Sequence, residues 1–151
     1  MPKGSEQMKY FGYGPGESYC DKNLSTKLGE YSSTVDENYE PYITPQENSS
    51  HYGCRWADVH TVAGHGLLFR TPDTFSFSAS HYSPEQLDKA SHRHELKRED
   101  ETTVFIDYKQ SGMGSYSCGP ELDGKYRFRE EHFTFSFSVK PIFESEYDPY
   151  N

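Results

Sequence analysis

Strict alternation of aromatic and small polar residues is the feature that most limits what this chain can fold into. Phe133, Phe135, Phe137 and Val139 fall on one side of an extended segment, while Thr134, Ser136 and Ser138 fall on the other. Phe75, Phe77 and Ala79, interleaved with Ser76, Ser78 and Ser80, repeat the pattern. A period of two gathers the rings on one buried face of a strand, whereas a helix would scatter them around its circumference. Thr103 to Tyr108 is a further β-branched and aromatic run, and Met8 to Tyr13, Cys54 to Val62 and Leu67 to Arg70 are weaker strand candidates. The expected fold class is mainly β and mostly antiparallel.

One helix is expected, because Ser83-Pro84-Glu85-Gln86 offers an N-cap serine, a proline at the first helical position and a glutamine three residues after the cap. It should run to about Ser91, with Leu87 and Ala90 on one face. Leu, Ile, Val and Phe make up only roughly 17% of the 151 residues, under the value of about 20% that suggests disorder. Aromatics supply the missing mass: 13 Tyr, 10 Phe and 1 Trp are 16% of the chain, and each ring buries a large area. The length suits one domain, residues 1–151. Two stretches, Tyr13 to Val35 and Asp36 to Tyr52, read as long irregular connections, which in a compact domain are functional or pack against something else. The acidic, aromatic tail from Glu144 to Asn151 is expected to fray.

A net charge of −9 without a basic stripe argues against nucleic acid as a partner. There is no apolar run long enough to span a bilayer and no hydrophobic stretch at Met1-Pro2-Lys3-Gly4, so neither a membrane nor a secretory route is expected. Cys20, Cys54 and Cys118 are odd in number and lack CxxC spacing, which fits neither a disulfide framework nor a closed zinc site. A reducing cytoplasm is the expected location.

Three groups of residues could carry chemistry. His92 and His94 would point the same way in an extended segment, which suits a metal or a proton transfer; flanked by Arg93, Glu95 and Lys97, they read first as a polar strand entry. Glu17, Glu47, Asp58, Asp107 and Glu121 lie at or near loops and are the carboxylates to nominate for acid/base work, although most acids on an acidic chain only solvate it. The segment Gly112-Met113-Gly114-Ser115-Tyr116-Ser117-Cys118-Gly119-Pro120 imposes an irregular backbone directly after a strand. Such a loop either presents Tyr116, Ser117 and Cys118 to a ligand or merely turns the chain. Neither histidine nor lysine nor arginine lies beside Cys118 to activate it as a nucleophile.

Several blocks, in order, resemble the carboxy-terminal small-chain region of β-galactosidases of glycoside hydrolase family 2. Tyr10-Phe11-Gly12-Tyr13-Gly14-Pro15-Gly16-Glu17-Ser18-Tyr19 is similar to the family's aromatic-Gly-x-Gly-Pro-x-Glu-x-Tyr block, and Asp21-Lys22 follow it. Tyr42-Ile43-Thr44-Pro45-Gln46-Glu47-Asn48 is similar to its Tyr-x-x-Pro-x-Glu-Asn block. Arg55-Trp56, Tyr82-Ser83, Leu87, Ser91 to Leu96, Ile106-Asp107 and the glycine loop with Pro120 continue the series. The resemblance runs from about Lys9 to Val139.

The resemblance implies part of a galactose-mutarotase-like antiparallel supersandwich, here the second half of the small-chain domain. It implies hydrolysis of terminal β-galactosides such as lactose, with both catalytic glutamates on a separate TIM barrel, so no carboxylate of this chain inherits a catalytic role. The implied partners are the remaining domains or large subunit, the galactoside itself and, through exposed sheet edges, a second copy. In relatives the glycine loop reaches the active site and offers an aromatic platform, commonly tryptophan; Cys118 stands at that place here, with Tyr116 and Ser117 beside it as substrate-binding candidates. A structural sodium held by backbone carbonyls would fall to Thr44, Pro45 and Leu87, and magnesium is expected in the intact enzyme but not on this chain. Two other readings compete: a free-standing carbohydrate-binding module, and a mutarotase-like sugar epimerase using His92 or His94 as proton shuttle.

Overall fold

A computed structural model describes residues 1–111, 123–124, 127–143 and 149–150. Six antiparallel strands form one sheet: β1 (Gln7–Gly14), β2 (Lys27–Thr34), β3 (His51–His60), β4 (Gly66–Ser80), β5 (Thr103–Asp107) and β6 (Ser138–Ile142). The order is β2-β1-β3-β4-β5, with β6 also paired to β4. The fold is therefore mainly β and antiparallel, as the alternation predicts. Two short helices, α1 (Val35–Asn38) and α2 (Pro84–Lys89), and a 3-10 turn at Arg93–Glu95 complete the described elements. No helix among the described residues is long and apolar enough to cross a membrane.

The main core lies on one face of the sheet, where Met8, Tyr10, Cys54, Ala57, Val59, Phe69, Phe75, Phe77 and Ala79 are buried together. Phe75, Phe77 and Ala79 thus occupy the buried face that their spacing calls for. The 15-residue β4 fuses two segments that read separately in the sequence, Leu67–Arg70 and Phe75–Ser80. Its first part pairs with β6 and its last part with β5, while β3 runs along its other side. A smaller cluster of Trp56, Leu68 and Ile142, with Phe11 against it, sits apart from the main core.

The strand expected at Phe133–Val139 is corrected. Ladder pairing begins only at Ser138, and Phe133, Phe137 and Val139 are exposed, leaving Phe135 as the ring of that set that packs against the core. The reason lies across the ladder: extending the β4–β6 register would set Ser136 opposite Pro72, which has no N–H to donate. The Thr71 hydroxyl donates to the Ser136 carbonyl at 3.1 Å instead. The freed rings stack on one another, Tyr108 on Phe133 at 4.5 Å and 9°.

The two stretches read as irregular are partly ordered elements. β2 is an edge strand that pairs with β1 over eight residues, and its pattern, half exposed and half partly buried, carries no apolar alternation to announce it. α1 begins in a complete capping box, in which the Thr34 side chain accepts from Glu37 N and the Glu37 side chain accepts from Thr34 N. α2 is shorter than expected, ending at Lys89, and Ser83 makes no side-chain cap bond. Gln86 is engaged elsewhere: its amide donates to Glu99 and accepts from Lys97 N. Of the tail expected to fray, residues 144–148 and 151 lie outside the described residues, whereas Tyr150 packs edge-on against Trp56.

Gly12 shows why the first motif block needs its glycine. A Cβ there would meet Cys54 Sγ at 2.5 Å and the Cys54 backbone at 3.2 and 3.3 Å. Gly12→Ala is expected to cost roughly 1–3 kcal/mol of stability through overpacking, measured by urea unfolding with an unchanged m-value.

Candidate functional site at the root of the glycine loop

The candidate ligand-facing residues Tyr116, Ser117 and Cys118, and the carboxylate Glu121, lie outside the described residues. The root of their loop is described. Asp107 closes β5, and Gln110 ties the following segment down, its carbonyl accepting from Cys20 N at 3.1 Å. Glu47 is hydrogen-bonded by the Gln110 side chain. The loops after β1 and α1 therefore meet the end of β5 here.

Glu17 is the knot of this meeting. Its Oε1 accepts from Lys22 Nζ at 2.5 Å and from the Tyr42 hydroxyl, and its Oε2 accepts from Ser49 N at 3.0 Å. The two resembling blocks, far apart in sequence, thus close on each other through one carboxylate. Burial pushes the Glu17 carboxyl up, but the bonds from Lys22, Tyr42 and Ser49 outweigh it and hold its pKa below the ordinary glutamate value. With both oxygens occupied and only 6% of the side chain exposed, Glu17 is a structural clamp and is not disposed to attack a substrate. Sequence reasoning nominated the acid but not its partners, although Lys22 and Tyr42 both stand in the same blocks.

Glu47 and Asp107 differ from Glu17. Burial raises both carboxyls above their ordinary values, and for Glu47 the charges of Asp107 and Glu17 add to the effect. The loop root therefore holds one carboxylate kept ionised by its partners and two whose burial opposes ionisation. Asp58, the remaining described nominee, is fully buried and lies 2.5 Å from His60 Nδ1.

The expected sodium residues come together. Thr44, Pro45 and Leu87 line one cleft of about 350 Å³ with Glu47 and Asp88. Ser91 N, the helical donor that would reach the Leu87 carbonyl, donates to Glu95 Oε2 at 2.8 Å. Leu87 lies in the last turn of α2, where carbonyls have no helical partner, and the cleft it shares with Glu47 and Asp88 is lined by oxygen-bearing groups, the donor type such a cation takes. His92 and His94 lie elsewhere, exposed, with rings stacked at 5.4 Å and 27° beside Tyr39 and Tyr82. They sit on the 3-10 turn and not on a strand entry, and no group of three or more His, Cys, Asp or Glu side chains among the described residues could hold a metal. Cys20 and Cys54 are free thiols.

Behind the clamp, His51 is fully buried, its ring stacked on Tyr10 at 4.0 Å and its Nε2 2.8 Å from Asn38 Oδ1. The Asn38 amide nitrogen donates to the Ser49 carbonyl, so its Oδ1 faces Nε2, while Nδ1 lies 3.3 Å from the Tyr13 carbonyl; both ring nitrogens thus face oxygen acceptors. Burial lowers the His51 pKa from 6.5 to about 4. A lowered pKa means that the unfolded chain takes up a proton that the native state refuses, so stability present above pH 6.5 is lost as pH falls toward 4. The expected loss is roughly 3 kcal/mol by urea unfolding across that range, and His51→Phe should flatten the slope. Lys22→Met should destabilise by about 2 kcal/mol, after discounting for the lysine's exposure, and should raise the Glu17 pKa in a carboxyl NMR titration.

Comparison with known proteins places this geometry. Residues 1–139 match the model of the beta galactosidase small chain family. A beta-galactosidase of Staphylococcus xylosus is 42% identical over 140 residues, which is 93% of this chain and 14% of that protein. One of Actinobacillus pleuropneumoniae is 40% identical over 139 residues, 92% of this chain and 13% of its own length. One of Kluyveromyces lactis is 33% identical over 135 residues, 89% and 13% respectively. The chain spans about one seventh of the length of the curated relatives it matches. A match that takes in both clamped blocks and β1 to β5 carries one conclusion: this chain belongs to the beta galactosidase small chain family.

Proposed function

We propose that this chain serves a family 2 β-galactosidase as the second half of its small-chain domain, supplying scaffold and one active-site loop for hydrolysis of terminal β-galactosides such as lactose. The observation that carries this reading is the family match over residues 1–139 together with relatives named beta-galactosidase at 42% and 40% identity. The geometry supports a supporting role: Glu17 is consumed in a clamp that holds two loops against the root of the glycine loop. In this reading Tyr116, Ser117 and Cys118 contact the galactoside, and Glu47 and Asp107 stand at the root of the loop that carries them. The cleaving pair of glutamates belongs to a separate TIM-barrel domain, and the remaining domains or large subunit are the partners.

A sodium ion held by the carbonyls of Thr44, Pro45 and Leu87 would brace the loop before Glu47 against α2, and their common cleft supports that assignment. Magnesium belongs to the intact enzyme and has no ligands assigned on this chain. The location is the cytoplasm, nucleic acid and membranes are not partners, and the edge strand β2 offers a route to self-association.

The purified chain alone is expected to leave a nitrophenyl galactoside uncleaved; turnover by it would overturn the assignment of catalysis to another domain. Calorimetry with galactose and polarimetry of fresh α-galactose should likewise be silent, where a binding module would give heat and an epimerase would speed mutarotation. In the intact enzyme, Cys118→Trp is expected to shift KM severalfold with little change in Tm, because an indole adds a stacking face. Unchanged kinetics would argue that the glycine loop does not reach the sugar.

A further inference from the structure

Away from the glycine loop, four residues form a single row across four strands. Glu30 on β2 is paired with Phe11 on β1, Phe11 with Trp56 on β3, and Trp56 with Arg70 on β4. The row therefore runs acid, aromatic, aromatic, cation. Trp56 is the chain's one tryptophan and is 3% exposed, and its buried indole N–H has no acceptor among the described residues. Arg55 lies over the Phe11 ring at 5.7 Å and adds a second cation on a chain of net charge −9.

Tyr150 lies along this row and matches it group by group. Its hydroxyl donates to Glu30 Oε2 at 2.9 Å, its ring meets Trp56 edge-on at 5.9 Å and 84°, and its carbonyl accepts from Arg70 Nη2 at 3.4 Å. Pro149 and Tyr150 share with Phe11, Arg55, Trp56 and Arg70 a cleft of about 250 Å³. The residues leading to it in sequence include Glu144, Glu146 and Asp148, whose charge is opposite to that of Arg55 and Arg70. We propose that the Glu30–Phe11–Trp56–Arg70 row is a socket for an acidic, tyrosine-bearing peptide segment, filled in this chain by its own Tyr150. The hydroxyl at one end and the carbonyl at the other set the direction in which such a segment lies. Tyr150 itself remains 61% exposed, so it acts as a cover for Trp56 and not as part of the core.

The single tryptophan makes the socket readable. In the full 151-residue chain, Tyr150→Ala is expected to shift Trp56 emission to the red and raise its acrylamide quenching about twofold, with the far-UV circular dichroism unchanged. A peptide of residues 146–151 should restore the emission saturably. The same peptide with phenylalanine at the Tyr150 place should bind about fivefold more weakly, because the bond to Glu30 is lost. Adding Arg70→Ala to Tyr150→Ala should abolish the restoration. Wild-type emission and quenching in Tyr150→Ala, or a peptide titration that leaves the emission of that variant unchanged at millimolar concentration, would overturn the proposal.

Discussion

One carboxylate ties the two long connections of this molecule to each other. Glu17 accepts from a lysine, a tyrosine and a backbone amide drawn from two connections, beside the fully buried Tyr19 ring. A buried carboxylate is costly unless every oxygen is satisfied, and here both are. The clamp does not stand alone. Ser18 Oγ donates to the Tyr13 carbonyl and accepts from Tyr52 N, and the Asn48 and Ser49 side chains accept from Glu40 N. These connections are built from polar groups that complete one another, which is how a chain poor in aliphatics keeps them in place.

That construction explains what could and could not be read from the sequence. Phe75, Phe77 and Ala79 announce a buried strand because alternation reports burial directly. The same alternation at Phe133, Phe135 and Phe137 misleads, because pairing depends on a donor from the neighbouring strand, and Pro72 supplies none. β2 leaves no apolar trace since an edge strand needs only backbone bonds to β1. The Thr34–Glu37 pair has the spacing of a capping box, but no apolar periodicity follows it to mark a helix, so α1 is not expected from the sequence.

The candidate site was half legible for a related reason. Glu17 and Glu47 stand out as acids within resembling blocks, yet their roles are set by partners from elsewhere in the chain: Lys22 and Tyr42 for one, Gln110 and Asp107 for the other. The same residue type is driven in opposite directions by its surroundings, one held ionised and the other made easier to protonate. No spacing rule conveys that difference, since it arises from burial and from which loops happen to meet.

The division of β4 between two partners has a further consequence. One strand spans the sheet lengthwise, with β6 beside its beginning, β5 beside its end, and Thr71 to Phe75 between the two ladders. Stripping β6 away would leave the β3–β4–β5 ribbon with all of its hydrogen bonds, so the sheet can open at one corner without loosening the other. The corner that can open shelters Leu68 and Ile142 next to Trp56; the corner that stays shut carries the root of the glycine loop. Breathing and precision are thereby assigned to opposite ends of the same rod.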